Sequence, residues 1–117
     1  MKLLSHTISR LARMRFWRIN HPVASQREVL QELVTAAQYT EFGKKYHFSN
    51  LFTVKDFKKK IPIHEYEDLK PYIERMMNGE ENLLWNTPVK WFAKSSGTTS
   101  AKSKFIPISE ESLTDNH

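Results

Sequence analysis

The sequence has no cysteine, and its histidines are scattered. The absence of cysteine among 117 residues excludes a disulfide framework and a thiolate metal site. None of the five histidines has a partner four residues away, so the helical spacing of a zinc site is missing. No apolar stretch approaches the length that spans a membrane. We therefore expect one small domain with no metal held by the protein and no transmembrane segment.

Acidic residues are missing from the first twenty positions, which carry the whole net charge of +5 as Lys2, Arg10, Arg13, Arg15 and Arg18. Apolar residues recur there at roughly helical spacing, so residues 1–20 predict a basic amphipathic helix. Such a helix either packs on the domain with a solvated basic face, or contacts an anionic membrane or serves in targeting. The later lysines lie among acidic residues, and we expect no nucleic-acid partner.

Residues 25–85 predict a helical region. The S-Q-R-E pattern at Ser25–Glu28 predicts a helix that begins at Ser25. Thr53, followed by Asp56, predicts a second capped helix. Tyr66–Asn78 predicts a third, in which Pro71 begins a new first turn and Gly79 ends the helix. Local packing accounts for a cluster of aromatic and apolar residues, namely Phe42, Tyr46, Phe48, Leu51 and Phe52.

Residues 89–109 predict two strands joined by a hydroxyl-rich loop. The apolar runs Trp91–Ala93 and Phe105–Ile108 flank the polar stretch. Its hydroxyl and backbone N–H donors suit an anion, and Gly97, one of only three glycines, lets a ligand approach the main chain. Lys102 and Lys104 add positive charge at the exit. These features favour a phosphate cradle, and the alternative is a flexible, solvated loop.

The loop does not match the motifs of two large enzyme classes. From Gly97 the chain reads G-T-T-S-A-K-S, one residue short of the Walker pattern G-x-x-x-x-G-K-[ST] and with alanine for its second glycine. It also leads into a strand-like run, whereas the Walker loop leads into a helix. The G-x-S-x-G pattern of α/β-hydrolases is missing as well. A P-loop NTPase and a serine hydrolase of that type are therefore not expected.

The segment S-S-G-T-T-S-A-K-S-K at residues 95–104 resembles the phosphate-binding loop of the acyl-adenylate-forming superfamily, which includes firefly luciferase and the acyl-CoA synthetases. Within it, the chain is most similar to the plant auxin- and jasmonate-conjugating acyl-acid amido synthetases and their bacterial relatives. Their loop reads S-S-G-T-[ST]-x-G-x-x-K, and Ala101 stands where they often have glycine. The likeness extends upstream through T-E-F-G-K-K-Y, I-P-I-H-E-Y-E-D-L-K-P-Y-I-E-R-M and G-E-E-N-L-L-W, at residues 40–46, 61–76 and 79–85.

The resemblance implies a mixed α/β fold in which a mainly helical part precedes a strand–phosphate loop–strand hairpin. It implies that residues 1–117 are the N-terminal portion of one adenylation domain, with the rest of that large domain and the C-terminal domain absent. The residues that match the family's loop, and that would bind the β- and γ-phosphates of ATP, are Ser95, Ser96, Gly97, Thr98, Thr99 and Lys104.

The implied function is that of an ATP-dependent acyl-acid amido synthetase in the cytoplasm. Its substrates would be ATP, a carboxylic acid and an amine such as an amino acid, with Mg²⁺ as a cofactor in the intact protein. The family's acyl pocket follows the loop, so the acid, the amine and the catalytic residues are not identified. The isolated fragment would be inactive. A competing hypothesis is a stand-alone, non-enzymatic helical domain that binds its partner through the basic first helix.

Overall fold

The computed structural model describes residues 2–96 and 102–115, and it describes side chains at residues 10 and 12–114 within those ranges. This part of the chain is mainly helical, with one two-stranded antiparallel sheet. A 3₁₀ turn spans Phe48–Asn50. The other elements, in chain order, are α1 (Lys2–Asn20), α2 (Pro22–Ala37), α3 (Glu41–Lys45), α4 (Val54–Lys60), α5 (Tyr66–Met77), β1 (Trp91–Lys94), β2 (Phe105–Ile108) and α6 (Glu110–Asp115).

Helix α2 begins at Pro22, three residues before the predicted start at Ser25. Proline suits the first helical position because its fixed φ fits a helix and its missing N–H would be unpaired there. The Ser25 hydroxyl does not cap a helix; it donates to the carbonyl of Arg18 at 3.0 Å. The Arg18 side chain also pairs with Glu28 and Glu32 of α2. The capping-box prediction at Ser25 is therefore wrong, because the hydroxyl contacts α1.

The main core lies where α2, α3 and the 3₁₀ turn meet. Its buried residues are Val34, Ala37, Phe48 and Leu51, and the half-buried side chains around them are Leu30, Phe42, Tyr46, Phe57, Ile61 and Trp85. The predicted local packing is confirmed for four of the five residues, but Phe52 is 73% exposed. Leu51 points into the core, and its neighbour Phe52 lies at the surface. Helix α4 has the predicted cap, since the Thr53 hydroxyl accepts from the Asp56 backbone N–H at 3.0 Å.

Thr40 joins α2 to α3 and is fully buried. Its hydroxyl donates to the Ala37 carbonyl at 2.7 Å and accepts from the Gly43 backbone N–H at 3.0 Å. The first two N–H groups of α3 donate to the carbonyls of Asn82 and Leu83. Helix N-termini leave such groups without intrahelical partners. One side chain and one distant segment therefore satisfy the start of α3.

Helix α5 runs without interruption through Pro71, which does not begin a new helical segment. A proline inside a helix removes one hydrogen bond and crowds the preceding turn. Here the helix has a well-capped start, where the Glu65 backbone N–H donates to Asp68 at 2.8 Å. It also buries Ile73 and Met76 on its packed side. The predicted end is confirmed, since Gly79 follows the last turn with a φ of 93°.

Two ion pairs hold the C-terminal end of α5 against its neighbours. The Arg75 guanidinium lies 2.9 Å from Glu41 on α3 and 2.8 Å from Glu80 in the turn after α5. The hydrogen bond to Glu41, and then the one to Glu80, raise the pKa of Arg75 further above its ordinary value. Arg75 thus lies at the surface and joins three segments of the chain. In the described part of the chain, no helix is long and apolar enough to cross a membrane.

We expect Gly43→Ala to destabilise the fold strongly. A Cβ at position 43 would overlap the backbone carbonyl of Ala37, which cannot move without opening the junction at Thr40. Overpacking of this kind costs about 1–3 kcal/mol or more. Urea unfolding followed by circular dichroism would measure the loss. Lys44→Ala, at the exposed neighbouring position, is the control and should change the free energy of unfolding by less than about 0.5 kcal/mol. Equal effects of the two substitutions would contradict this account of the junction.

Candidate functional site

The two predicted strands pair as an antiparallel hairpin, and its neck is closed by a side chain as well as by main chain. Trp91 faces Ile108 and Lys94 faces Phe105 in the register. One step beyond the strands, the Ser95 backbone N–H donates to the Lys104 carbonyl at 2.8 Å. The Lys104 backbone N–H donates to the Ser95 hydroxyl at 3.1 Å. The Ser95 oxygen therefore helps to close the neck, and its hydrogen can still donate.

The loop above this neck is longer than chain reversal requires. It runs from Ser96 to Ser103, eight residues, whereas most hairpin loops have two to about five. Ser96, Lys102 and Ser103 are exposed. Three of the predicted phosphate-binding residues, Gly97, Thr98 and Thr99, lie outside the described residues. The structure therefore gives the position of Ser95, Ser96 and Lys104 from that set.

Tyr66, the first residue of α5, contacts the hairpin at the end of the loop. Its hydroxyl accepts from the Phe105 backbone N–H at 2.9 Å and donates to the Phe105 carbonyl at 3.1 Å. Along an antiparallel strand, successive residues direct their N–H and C=O groups to opposite sides. Lys104 bonds to the β1 side of the neck, so Phe105 presents these groups at the outer edge. The Tyr66 hydroxyl thus pairs both backbone groups of this edge residue.

The side chain of Lys104, at the neck of the hairpin, lies against the ring of Tyr66. Its ammonium nitrogen lies 5.3 Å from the centroid of the Tyr66 ring, within the range of a cation–π contact. The residue is otherwise exposed. One aromatic side chain therefore contacts both the backbone at the end of the loop and the charged group of the predicted phosphate ligand.

Ser109 caps the start of helix α6, and its hydroxyl accepts from the Ser112 backbone N–H at 3.2 Å. In its first turn, the Glu111 carboxylate accepts from the Thr87 hydroxyl at 3.0 Å and from the Trp85 indole N–H at 3.3 Å. These contacts attach α6 to the segment that leads into β1. The backbone N–H of Glu111 and then the Thr87 hydroxyl lower the pKa of this carboxyl below its ordinary value.

Sequence reasoning assigned no role to Tyr66, Thr87 or Glu111. The partners of Tyr66 and Glu111 lie 39 and 24–26 residues away along the chain, so no local pattern marks them. The one available signal was that Tyr66 falls inside the family-like segment at residues 61–76. Among the described residues, no group of three or more histidine, aspartate or glutamate side chains could hold a metal ion.

Comparison with known proteins gives consistent results. A family model described as the GH3 family N-terminal domain matches residues 18–117. The indole-3-acetic acid-amido synthetase GH3.2 of Arabidopsis thaliana is 38% identical over 94 residues, which are 80% of this chain and 17% of that protein. The jasmonoyl–L-amino acid synthetase JAR4 of Nicotiana attenuata is 36% identical over 87 residues, 74% of this chain and 15% of that protein.

The solved structure of a GH3.15 acyl acid amido synthetase superposes with a TM-score of 0.69 at 32% identity, over 78% of this chain and 16% of that one. The superposed part of this chain therefore has the fold found in the corresponding part of an acyl acid amido synthetase. The chain belongs to the GH3 family, and its residues 18–117 match that family's N-terminal domain. It spans between 15% and 17% of the length of these relatives.

We expect the contact between α6 and Thr87 to weaken in acid. A carboxyl whose pKa is lowered by folding stabilises the fold above its ordinary pKa of 4.5. That contribution is lost as the pH falls through the folded-state pKa, which lies below this value. The Trp85 indole N–H resonance, followed by NMR between neutral pH and pH 3, should shift in that acidic window. Glu111→Gln should abolish the shift, and its persistence in the variant would assign the titration to another group.

Proposed function

We propose that this chain supplies the phosphate-binding loop of an ATP-dependent acyl acid amido synthetase. The observation that carries the proposal is the hairpin loop of eight residues, which has a closed neck at Ser95 and Lys104. Six residues at the loop and its neck match the family's pattern in type and spacing, and Ala101 stands where that pattern has glycine. The relatives are named as synthetases that act on indole-3-acetic acid or form jasmonoyl–amino acids. The proposed substrates are accordingly a carboxylic acid and an amino acid or another amine.

The residues at the neck fit a polyphosphate chemically. Ser96 is exposed at the base of the loop and offers a hydroxyl and a backbone N–H. Lys104 supplies a positive charge at the other end. In the proposal, Gly97, Thr98 and Thr99 complete the cradle between them with backbone and hydroxyl donors. Ser95 contributes its hydroxyl hydrogen while its oxygen closes the neck. Hydrogen bonds that involve an ionised group are about twice as strong as neutral ones.

The proposed reaction has two steps. A carboxylate oxygen attacks the α-phosphorus of ATP, the bond from that phosphorus to the bridging oxygen breaks, and pyrophosphate leaves. The amine nitrogen then attacks the acyl carbon, loses a proton and displaces AMP. The hairpin would hold the β- and γ-phosphates and offset their charge, which positions the α-phosphorus and stabilises the departing pyrophosphate. Mg²⁺ bound to the phosphates would neutralise further charge.

An exposed apolar face on the hairpin supports the view that the chain acts within a larger domain. Paired residues on adjacent strands share a face, so Trp91, Ala93, Ile106 and Ile108 lie together on one side. Trp91 and Ile106 are 46% and 51% exposed. A two-stranded hairpin is marginally stable alone, and contiguous apolar patches of this kind are typical of surfaces covered by further structure.

We expect Thr98→Ala, in the full-length synthetase that carries this chain, to reduce kcat/KM for ATP. The loss should correspond to roughly 1–3 kcal/mol, the scale of a hydrogen bond to a charged group. Carboxylate-dependent exchange of pyrophosphate into ATP measures it. Thr35→Ala, the same chemical change at an exposed position of α2, is the control and should leave the exchange rate unchanged. Unchanged kinetics in Thr98→Ala would count against the phosphate cradle.

We also expect the 117-residue chain alone to be inactive. The proposed loop holds phosphates, whereas the acyl pocket implied by the family resemblance follows it. Purified chain, incubated with MgATP, labelled pyrophosphate and a mixture of aromatic and aliphatic carboxylic acids, should produce no labelled ATP. The full-length protein under the same conditions is the positive control. Carboxylate-dependent exchange by the short chain would overturn this expectation.

A further inference from the structure

The Tyr66 hydroxyl contacts the outer edge of β2, and the proposed reaction gives this contact no role. Tyr66 pairs both backbone groups of Phe105 through one hydroxyl, at 2.9 and 3.1 Å. A phenol can donate one hydrogen bond and accept another, and here it uses both capacities on a single residue. Tyr66 is half-buried and starts α5, whose far end is held by the Arg75 ion pairs. The edge of the hairpin is thus attached to the N-terminal end of a helix whose other end is held by Arg75.

We propose that Tyr66 is a positioning residue for ATP binding, which sets the place of Lys104 at the end of the phosphate-binding loop. The inference rests on the proposed function of that loop. Lys104 directly precedes Phe105, which Tyr66 holds. The backbone of Lys104 is therefore restrained by Tyr66 on one side and by Ser95 on the other. Its ammonium group lies over the Tyr66 ring. The hydroxyl therefore holds the backbone of Lys104, and the ring holds its charge near the loop.

The position of the charge matters because a flexible lysine has many rotamers, and ordering it on binding costs free energy. A backbone fixed at the neck and a ring beside the side chain restrict those rotamers before the nucleotide arrives. A cation–π contact at an exposed site is weak, so phosphate can displace the ring and take the ammonium group. Tyr66 would thus lower the cost of bringing Lys104 to the polyphosphate, and it would not touch the reacting atoms.

The test uses Tyr66→Phe in the full-length synthetase, which keeps the ring and removes the hydroxyl. We expect KM for MgATP to rise by roughly three- to tenfold, the scale of a single neutral hydrogen bond, because the two bonds to Phe105 act on ATP only indirectly, through Lys104. The KM values for the carboxylic acid and the amine should stay within about twofold, below the effect of one hydrogen bond. Tyr46→Phe is the matched control, because its hydroxyl contacts His64 at 3.0 Å, away from the hairpin. A KM for MgATP that is unchanged, or equally raised in both variants, would overturn the inference.

A double-mutant cycle separates positioning of Lys104 from general loosening of the fold. Lys104→Met removes the charge at similar side-chain length. If Tyr66 acts through Lys104, the hydroxyl deletion should raise KM for MgATP less than about twofold in the Lys104→Met background, since the effects of coupled residues do not add. The full three- to tenfold effect there, as roughly expected for independent sites, would refute positioning through Lys104.

Limited trypsin digestion gives a readout that does not depend on activity. Cleavage after Lys104 requires the Phe105 N–H to leave the Tyr66 hydroxyl, whereas cleavage after the exposed Lys102 does not. Tyr66→Phe should therefore raise the ratio of cleavage after Lys104 to cleavage after Lys102, and Tyr46→Phe should not. An unchanged ratio would contradict the inference that the Tyr66 hydroxyl holds the backbone at Phe105. If Thr98→Ala weakens ATP use but Tyr66→Phe does not, this inference alone fails; if neither does, the proposed function fails first.

Discussion

The buried hydroxyl of Thr40 is the interaction on which the rest of the structure depends. It closes the end of α2 through the Ala37 carbonyl and opens α3 through the Gly43 N–H. A buried polar group without partners costs free energy, so this threonine stabilises the tight junction between α2 and α3 only because its hydroxyl both donates and accepts. At this junction, the N-terminus of α3 pairs with the carbonyls of Asn82 and Leu83. Residues about forty positions apart thereby share one junction.

Helix α5 carries this constraint to the hairpin. Arg75 attaches the C-terminal end of α5 to α3 and to the following turn. At the N-terminal end of α5, the Tyr66 hydroxyl bonds to the edge of β2. Twelve helical residues span about 18 Å at a rise of about 1.5 Å each. The helix therefore acts as a rigid spacer between the core and the loop. The surface ion pairs at one end need contribute little stability on their own; their consequence is the placement of the other end.

The sequence predicted those features whose causes are local. The cap at Thr53 joins residues three apart, and both strands of the hairpin follow from short apolar runs. The start of α2 and the continuity of α5 were predicted wrongly, because the Ser25 hydroxyl has a partner on α1 and Pro71 lies in a helix with buried residues beyond it. Tyr66 was missed for the same reason on a larger scale, since its partner is 39 residues away. The loop residues came from motif resemblance, and their role as phosphate ligands stays a prediction.

The neck of the hairpin also bears on how a hydroxyl-rich loop of this length can serve a ligand. Closing a free loop and ordering its side chains both oppose binding. Here the closure is already made by the main chain at Ser95, by the Ser95 hydroxyl and, from outside, by Tyr66. The contacts to a polyphosphate then do not have to offset the entropy cost of closing the loop. They have to offset only the cost of ordering the residues between Ser95 and Lys104. The Tyr66 hydroxyl, which binds no phosphate, can in this way affect the affinity for a polyphosphate as much as a hydroxyl that does, because it determines the positions of the residues that bind.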